Sequence, residues 1–469
     1  MTADDTPQGG HVFDLNVGET IDFHGRSVKL IALNEPRDAV RGVIRLPSVV
    51  IEIDGERENV PAALYHMPQV VNGVRIGCSV TRGVADALMP YTDVFALDKD
   101  ARTRCWEPDA PLFGPTSLTY PVDQVWFASM TQLANERTYV DAGELPLNDF
   151  PNRHIYHHSG VDIGGYDKAV PLIAPVSGKL IRSGLEWAAG EEHYREAKYD
   201  SIVIRDEQGW RHGFAHIDMI EPSLVAGQWI EAGELVGVLG QTGSSGGWAH
   251  LHYSMQHVQP SGRYGEADGY PFVLEAYLHE HPGALLACAR PHRTAAVGEP
   301  VELDGSRSIC DGGEIVTHEW QLQNGDSAVG SKTVVTYDRE GMYSEILTVT
   351  DDRGQTDVDF CVVQVLPPAA DPAKTPPTMH AAYYPTNDLK PGQPIAFKVR
   401  SFFRGAFESN EAGEELWDFG DGTQAVTCSK GDFAERWHAY NQPGRFIVAV
   451  QRTGRNGCAA TVRLKVVVG

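Results

Sequence analysis

Two histidines one residue apart constrain this chain more than any other feature. In the stretch 237–255, GVLGQTGSSGGWAHLHYSM, His250 and His252 flank Leu251 just after a Gly/Ser-rich turn, Thr242 to Gly247. On a β-strand, residues i and i+2 project to the same face. Both imidazoles therefore enter one pocket, while Leu251 and Tyr253 face the other way. Taken alone, the pair also fits ordinary strand histidines. Two upstream stretches change that reading: His158-Ser159-Gly160-Val161-Asp162, with a histidine and a carboxylate four residues apart, and Gly213-Phe214-Ala215-His216. The segment 151–283 holds eleven of the eighteen histidines in under a third of the length, so the enrichment needs a chemical reason.

Zinc takes neutral imidazole nitrogen and carboxylate oxygen, and a catalytic zinc keeps one position open for water. His158, Asp162 and His252 supply three such ligands. Water at such an ion has its pKa brought toward about 7. His250, on the same strand face as His252, and His216, from the preceding hairpin, then serve as the proton-handling pair. One imidazole accepts the water's proton, and the other stabilises the oxyanion or protonates a leaving amine. None of the seven cysteines forms a C-x-x-C pair, which argues against a thiolate zinc site.

H-x-G-x-D at 158–162, Ala-His at 215–216 and G-x-T-G…H-L-H over 240–252 together resemble the lysostaphin/LytM family of zinc metallopeptidases. The glycine-bearing stretches Ala174-Pro175-Val176-Ser177-Gly178 and Ala226 to Gly233 match as well. The resemblance covers roughly residues 150–260. It implies zinc ligands at His158, Asp162 and His252, catalytic histidines at His216 and His250, and cleavage of peptidoglycan stem peptides or cross-bridges. Alternatives are a peptidase for Gly-rich proteins and a catalytically silent binding or scaffold protein on the same fold. The presence of all five site residues weighs against the silent form. His157 competes with His158, but its spacing to Asp162 is one residue too long. His154, His193, His257 and Arg153 read as groove or surface residues. Gly247-Trp248-Ala249 replaces the Gly-Pro that family members usually place before H-L-H. Glu186 to Tyr199 reads as an insertion fit to form a groove wall.

At 469 residues the chain is long enough for about three or four domains. The expected fold is mainly β. Residues 1–120 form an N-terminal β domain of unknown role, where Asp54-Gly55 marks a hairpin turn. Its His11, His24 and His66 read as surface or satisfied residues. Residues 121–150 form a connector, with a short helix expected over Val125 to Glu136. Residues 151–283 form the antiparallel β catalytic domain, residues 284–366 a β-sandwich, residues 367–378 a Pro/Ala linker, and residues 379–469 a second sandwich. Trp417-Asp418-Phe419-Gly420-Asp421-Gly422 resembles the signature of PKD domains, which are Ig-like sandwiches; Trp320 to Asp326 stands in the same place in the first copy. That resemblance implies spacers, or modules that bind polysaccharide or protein. Asp418 and Asp421 either hold calcium or, more in keeping with such turns, shape the turn.

The formal net charge is 39 − 63 = −24, which argues against nucleic acid as a partner. The first thirty residues show no basic stretch leading into an apolar run, so no signal peptide is read there. No run of about 18 apolar residues predicts a membrane span. An extracytoplasmic location (secreted, periplasmic or cell-surface) is what the family resemblance implies. The cysteine spacing suggests disulfides at Cys78–Cys105, Cys310–Cys361 or Cys288–Cys361, and Cys428–Cys458, a hint of an oxidising compartment.

Overall fold

A computed structural model describes residues 7–88, 93–114, 118–129, 136–140, 155–191, 199–367, 371, 374–402 and 413–469. Its described residues are almost entirely β, with two short helices. In the N-terminal part, alternation of apolar and polar residues makes half-buried strands. In Arg26–Asn34 and Ser48–Ile53, Val28, Leu30, Val49, Ile51 and Ile53 all point inward. These strands sit in one four-stranded antiparallel sheet, and His11–Leu15, Ala101–Trp106, Val74–Thr81 and Gln69–Val71 form a second. At the expected hairpin, Asp54 and Gly55 both take positive φ, as a tight two-residue turn requires.

The central domain is built on an eight-stranded antiparallel sheet. Its main path runs Val161–Gly164, His250–Val258, Arg211–Ala215, Ser201–Arg205, Gly178–Gly184 and Glu186–Trp187. Asp206 to Gly209 makes a hairpin turn between two of these strands, with Gly209 at φ +87°. A three-stranded sheet of Pro171–Ile173, Leu235–Leu239 and Ile217–Ile220 lies beside it. The helix Tyr270–Glu280 closes the domain, with Pro271 in its first turn, where a missing N–H costs nothing. It buries Tyr270, Phe272, Val273, Leu274, Ala276 and Tyr277. Its two carboxylates tie down the end of the N-terminal part: Glu275 accepts the backbone N–H groups of Leu112 and Phe113, and Glu280 accepts that of Tyr120.

Each C-terminal module is a sandwich around a buried tryptophan, Trp320 and Trp417. The modules share a nine-stranded sheet, joined where Met342 faces Ala460 on parallel strands. Asp418 and Asp421 shape the turn between them. Asp418 accepts Gly420 N–H, and Asp421 accepts Thr423 N–H while its other oxygen meets His438.

Two expectations change. The described part of the segment read as a helix, residues 125–129, runs in turns instead, and residues 130–135 lie outside the described residues. All seven cysteines are free thiols. Cys78 faces Thr103 and Cys105 faces Ile76, so the two are diagonal on neighbouring strands. Diagonal Cα atoms lie about 7–8 Å apart, beyond ordinary disulfide reach. Cys428 and Cys458 point to different backbone carbonyls, of Gly413 and Lys374. Cys310 meets Asp351 and Arg353, while Cys288 and Cys361 are buried as apolar residues. The hint of an oxidising compartment loses its support. Denatured without reductant, the chain should titrate all seven thiols with a chromogenic disulfide reagent; five or fewer would restore a disulfide.

His66 joins the N-terminal part to the first sandwich by accepting the Arg307 Nε–H at 3.0 Å. Burial, and then the Arg307 charge, push its pKa down to about 3 from 6.5. The unfolded imidazole binds a proton that the folded one refuses. The contribution of this group to stability is therefore complete above pH 6.5 and falls as the pH drops toward 3, by up to about 1.4 kcal/mol per pH unit. His66→Gln keeps an acceptor that does not titrate. Its melting temperature should fall less than that of wild type between pH 7 and pH 4, and equal slopes would refute a buried neutral His66.

Candidate metal centre and active site

Antiparallel register places the carboxylate against the histidine strand. Asp162 faces His252 and Gly164 faces His250, while Ala215 flanks His252 on the other side. Gly160, between the two upstream ligands, has φ +83°, and a Cβ there would lie 2.9 Å from the Tyr253 carbonyl and 3.0 Å from the His252 ring. Only glycine lets this turn approach the histidine strand. His216 sits at φ +65°, between the strand Arg211–Ala215 of the large sheet and Ile217–Ile220 of the small one. The strand that carries Gly213, Phe214 and Ala215 therefore ends just before this residue. A left-handed backbone at a non-glycine residue costs about 1–3 kcal/mol and is typical of functional sites. Here it swings the imidazole toward His250.

Three donor atoms converge. His158 Nε2 lies 3.0 Å from Asp162 Oδ1, His252 Nδ1 lies 2.9 Å from the same oxygen, and the two nitrogens are 3.0 Å apart. A triangle of about 3 Å sides leaves a point about 2 Å from every corner, the distance of zinc to nitrogen and oxygen ligands. His158 and Asp162 are buried, and His252 is partly open to a groove. Burial pushes the Asp162 carboxyl up, but His158 and His250 outweigh it and hold it well below its ordinary range. The donor set thus fits a cation.

The imidazole tautomers are fixed by backbone carbonyls. His158 Nδ1 faces Glu136 O at 3.1 Å, His216 Nδ1 faces Thr242 O at 2.7 Å, and His250 Nδ1 faces Trp248 O at 2.9 Å. A carbonyl only accepts, so each Nδ1 carries a proton; at His216 and His250, which burial keeps neutral, Nε2 is then left bare. His216 and His250 pack with ring centroids 4.6 Å apart, and His250 Nε2 lies 3.6 Å from Asp162. Burial, then the neighbouring His250 and His252, hold His216 well below its ordinary pKa. Burial also lowers that of His250. Both stay neutral bases at neutral pH.

A groove of about 340 Å³ opens beside His252, lined by Ser254, Gln256 and Glu266, with Trp187 and Tyr199 along its wall. Those two aromatics belong to the insertion read from the sequence; its residues 192–198, with His193, lie outside the described residues, as do Arg153 and His154. Burial raises the Glu266 carboxyl to about 7. Sequence reasoning missed Glu266, since no motif marks it, and missed the three carbonyl acceptors, which have no side-chain signature. His257 stacks on Trp210 at 4.8 Å and His212 meets the Tyr253 hydroxyl at 2.7 Å, so neither joins the cluster. His157, on Ile155–His157, is also outside it. A second group, Cys310, Asp351 and Asp352, already holds a cation: Arg353 Nε lies 2.7 Å from Asp351 and its Nη2 3.2 Å from Cys310.

Residues 156–264 match the model of Peptidase family M23, and residues 285–365 match that of the PKD domain. The central domain thus carries the Peptidase family M23 match and is followed by PKD-type sandwich structure, as the sequence motifs implied. The chain is similar to the catalytic domain of lysostaphin from Staphylococcus simulans (24% identical, 29% of this chain and 91% of that one, TM-score 0.20). It is also similar to a peptidase M23 from Pseudomonas aeruginosa (17% identical, 59% and 98%, TM-score 0.23). A further relative is Collagenase ColA of Clostridium perfringens, 26% identical over 92 residues; the match spans 20% of this chain and 8% of that protein's length.

After dialysis against zinc and gel filtration, wild type and the His250→Ala variant should retain stoichiometric metal by elemental analysis. His158→Ala, Asp162→Ala and His252→Ala should each lose it. Zinc retained by Asp162→Ala would refute this donor set.

Proposed function

We propose that this chain is a zinc-dependent endopeptidase that hydrolyses peptide bonds of bacterial peptidoglycan, in the stem or the cross-bridge. The observation that carries the reading is the convergence of three donor atoms and two bare imidazole nitrogens behind a groove that His252 lines. The M23 match over the same residues supports it.

Bound zinc would supply a Lewis acid that brings a water's pKa toward about 7. The chain's own groups do the rest. His158, Asp162 and His252 hold the ion, and the carboxylate offsets part of its charge. One of His216 and His250 accepts the water's proton at its bare Nε2. The other, with its own Nδ1–H anchored on a loop carbonyl, takes up a proton from solvent at Nε2 and, as the imidazolium, hydrogen-bonds the developing oxyanion or donates to the leaving amine. Their low pKa values keep both unprotonated in the resting enzyme. The groove wall of Trp187 and Tyr199 offers apolar faces to an extended peptide. The substrate class implies an extracytoplasmic site of action, and the net charge of −24 opposes binding to nucleic acid.

Zinc-loaded protein incubated with purified peptidoglycan should release new amino groups, and mass analysis of the fragments would name the bond. His250→Ala should keep its metal and lose about 10²–10⁴-fold in kcat, the usual range for a proton-handling side chain. No release by metal-loaded wild type would overturn the peptidoglycan reading. Full activity in His250→Ala would overturn the assigned roles.

A further inference from the structure

The loop that carries both histidine-anchoring carbonyls is held from outside the catalytic domain. Thr242 O orients His216, and Trp248 O orients His250. Between them Gly243, Gly246 and Gly247 all take positive φ, at +65°, +67° and +82°. A run of this kind has little intrinsic stiffness. The position of two imidazoles thus rests on a soft segment, unless something fixes its ends.

The last sandwich does so. In its strand Ile395–Phe402, Lys398, Arg400 and Phe402 alternate onto one face, and that face meets the catalytic domain. The Phe402 ring lies on Trp248 with centroids 4.9 Å apart and planes 6° from parallel. Arg400 Nη1 donates to Gly247 O at 3.3 Å and to the Gln241 side-chain oxygen at 3.0 Å. Lys398 Nζ donates to Asp167 O at 3.1 Å. Both ends of the loop are therefore gripped. Trp248 and Phe402 form a small buried cluster of their own.

We infer that the C-terminal sandwich is a positioning part of the active site, with Phe402 and Arg400 acting through Trp248, Gly247 and Gln241 to hold the carbonyls that orient His250 and His216. This rests on the proposed hydrolytic role of those histidines. It also gives Trp248 a function: the bulky ring is the handle by which the sandwich holds the loop. The module is thereby more than a spacer.

The test compares full-length Phe402→Ala, Phe402→Tyr and Arg400→Gln with wild type, each metal-loaded and checked for native circular dichroism. Phe402→Ala should keep stoichiometric zinc and KM within about threefold, while kcat falls at least tenfold. Phe402→Tyr, which restores the stacked ring, should recover to within about threefold of wild type. Arg400→Gln, a milder change, keeps the test open if Phe402→Ala does not fold, and should also lower kcat with KM little changed. Hydrogen exchange by mass spectrometry gives a readout independent of substrate: amides over residues 240–250 should exchange at least tenfold faster in Phe402→Ala or Arg400→Gln. Unchanged kcat, or unchanged loop exchange, in a folded variant of either residue would overturn the inference. If wild type proves inactive on peptidoglycan, that failure belongs to the proposed function, and loop exchange still decides whether the sandwich holds the loop.

Discussion

One carboxylate oxygen faces three imidazole nitrogens: Asp162 Oδ1 lies 3.0 Å from His158, 2.9 Å from His252 and 3.6 Å from His250. Asp162 is almost fully buried, and a buried charge without a partner costs several kcal/mol. The imidazoles offer partial relief, because protonating one would pair the charge. His158 and His250 keep their Nδ1–H on backbone carbonyls and turn their Nε2 atoms to the carboxylate, at 3.0 and 3.6 Å. The three donors stand at the spacing that suits a small cation, and the rest of the site is the means of holding this cluster together.

The means are mostly backbone. Three carbonyls, from Glu136, Thr242 and Trp248, fix three ring orientations, and each lies on a segment secured from a distance. Behind His158, the Glu136 side chain accepts the Tyr65 hydroxyl at 2.5 Å from the N-terminal part and the His292 N–H at 2.8 Å from the first sandwich. Behind His250, Trp248 rests on the second sandwich. Every structural unit of the chain thus touches a residue that touches an imidazole. Buried polar anchors of this kind are the usual way a site is kept to sub-ångström tolerance.

What was legible in the sequence follows from range. H-x-G-x-D and H-L-H encode their geometry within five residues: a β pleat sets His250 and His252 on one face, and Gly160 permits the close turn that brings His158 to Asp162. His216 was legible as a residue, but its left-handed backbone was not, because no local rule predicts φ +65° at a histidine. The helix Tyr270–Glu280 went unread for another reason. Its sequence YPFVLEAYLHE is apolar around most of its circumference, so no amphipathic period marks it, and Glu275 and Glu280 are spent on distant backbone N–H groups. The cysteines misled because spacing along the chain carries no information about diagonal register across two strands. A spacer role for the last sandwich was the natural expectation while Trp248 and Phe402 stood 154 positions apart.

That separation bears on where the functional unit ends. The segment matched by the peptidase family runs from 156 to 264 and contains all five chemical groups. It omits Glu136, whose carbonyl sets the His158 tautomer, the helix that closes the core, and the sandwich strand that grips the 240–249 loop. In a chain where Gly-Pro preceded the histidine pair, proline would stiffen the end of the loop locally by fixing φ. Gly247-Trp248-Ala249 has no such local restraint, and the long-range contact of Trp248 with Phe402 stands in its place. Ring and sandwich belong together: a tryptophan at 248 without Phe402 would leave a large apolar ring exposed beside the histidine cluster. The residues that fix the histidine cluster therefore reach beyond the matched segment, from Glu136 on one side to the strand Ile395–Phe402 on the other.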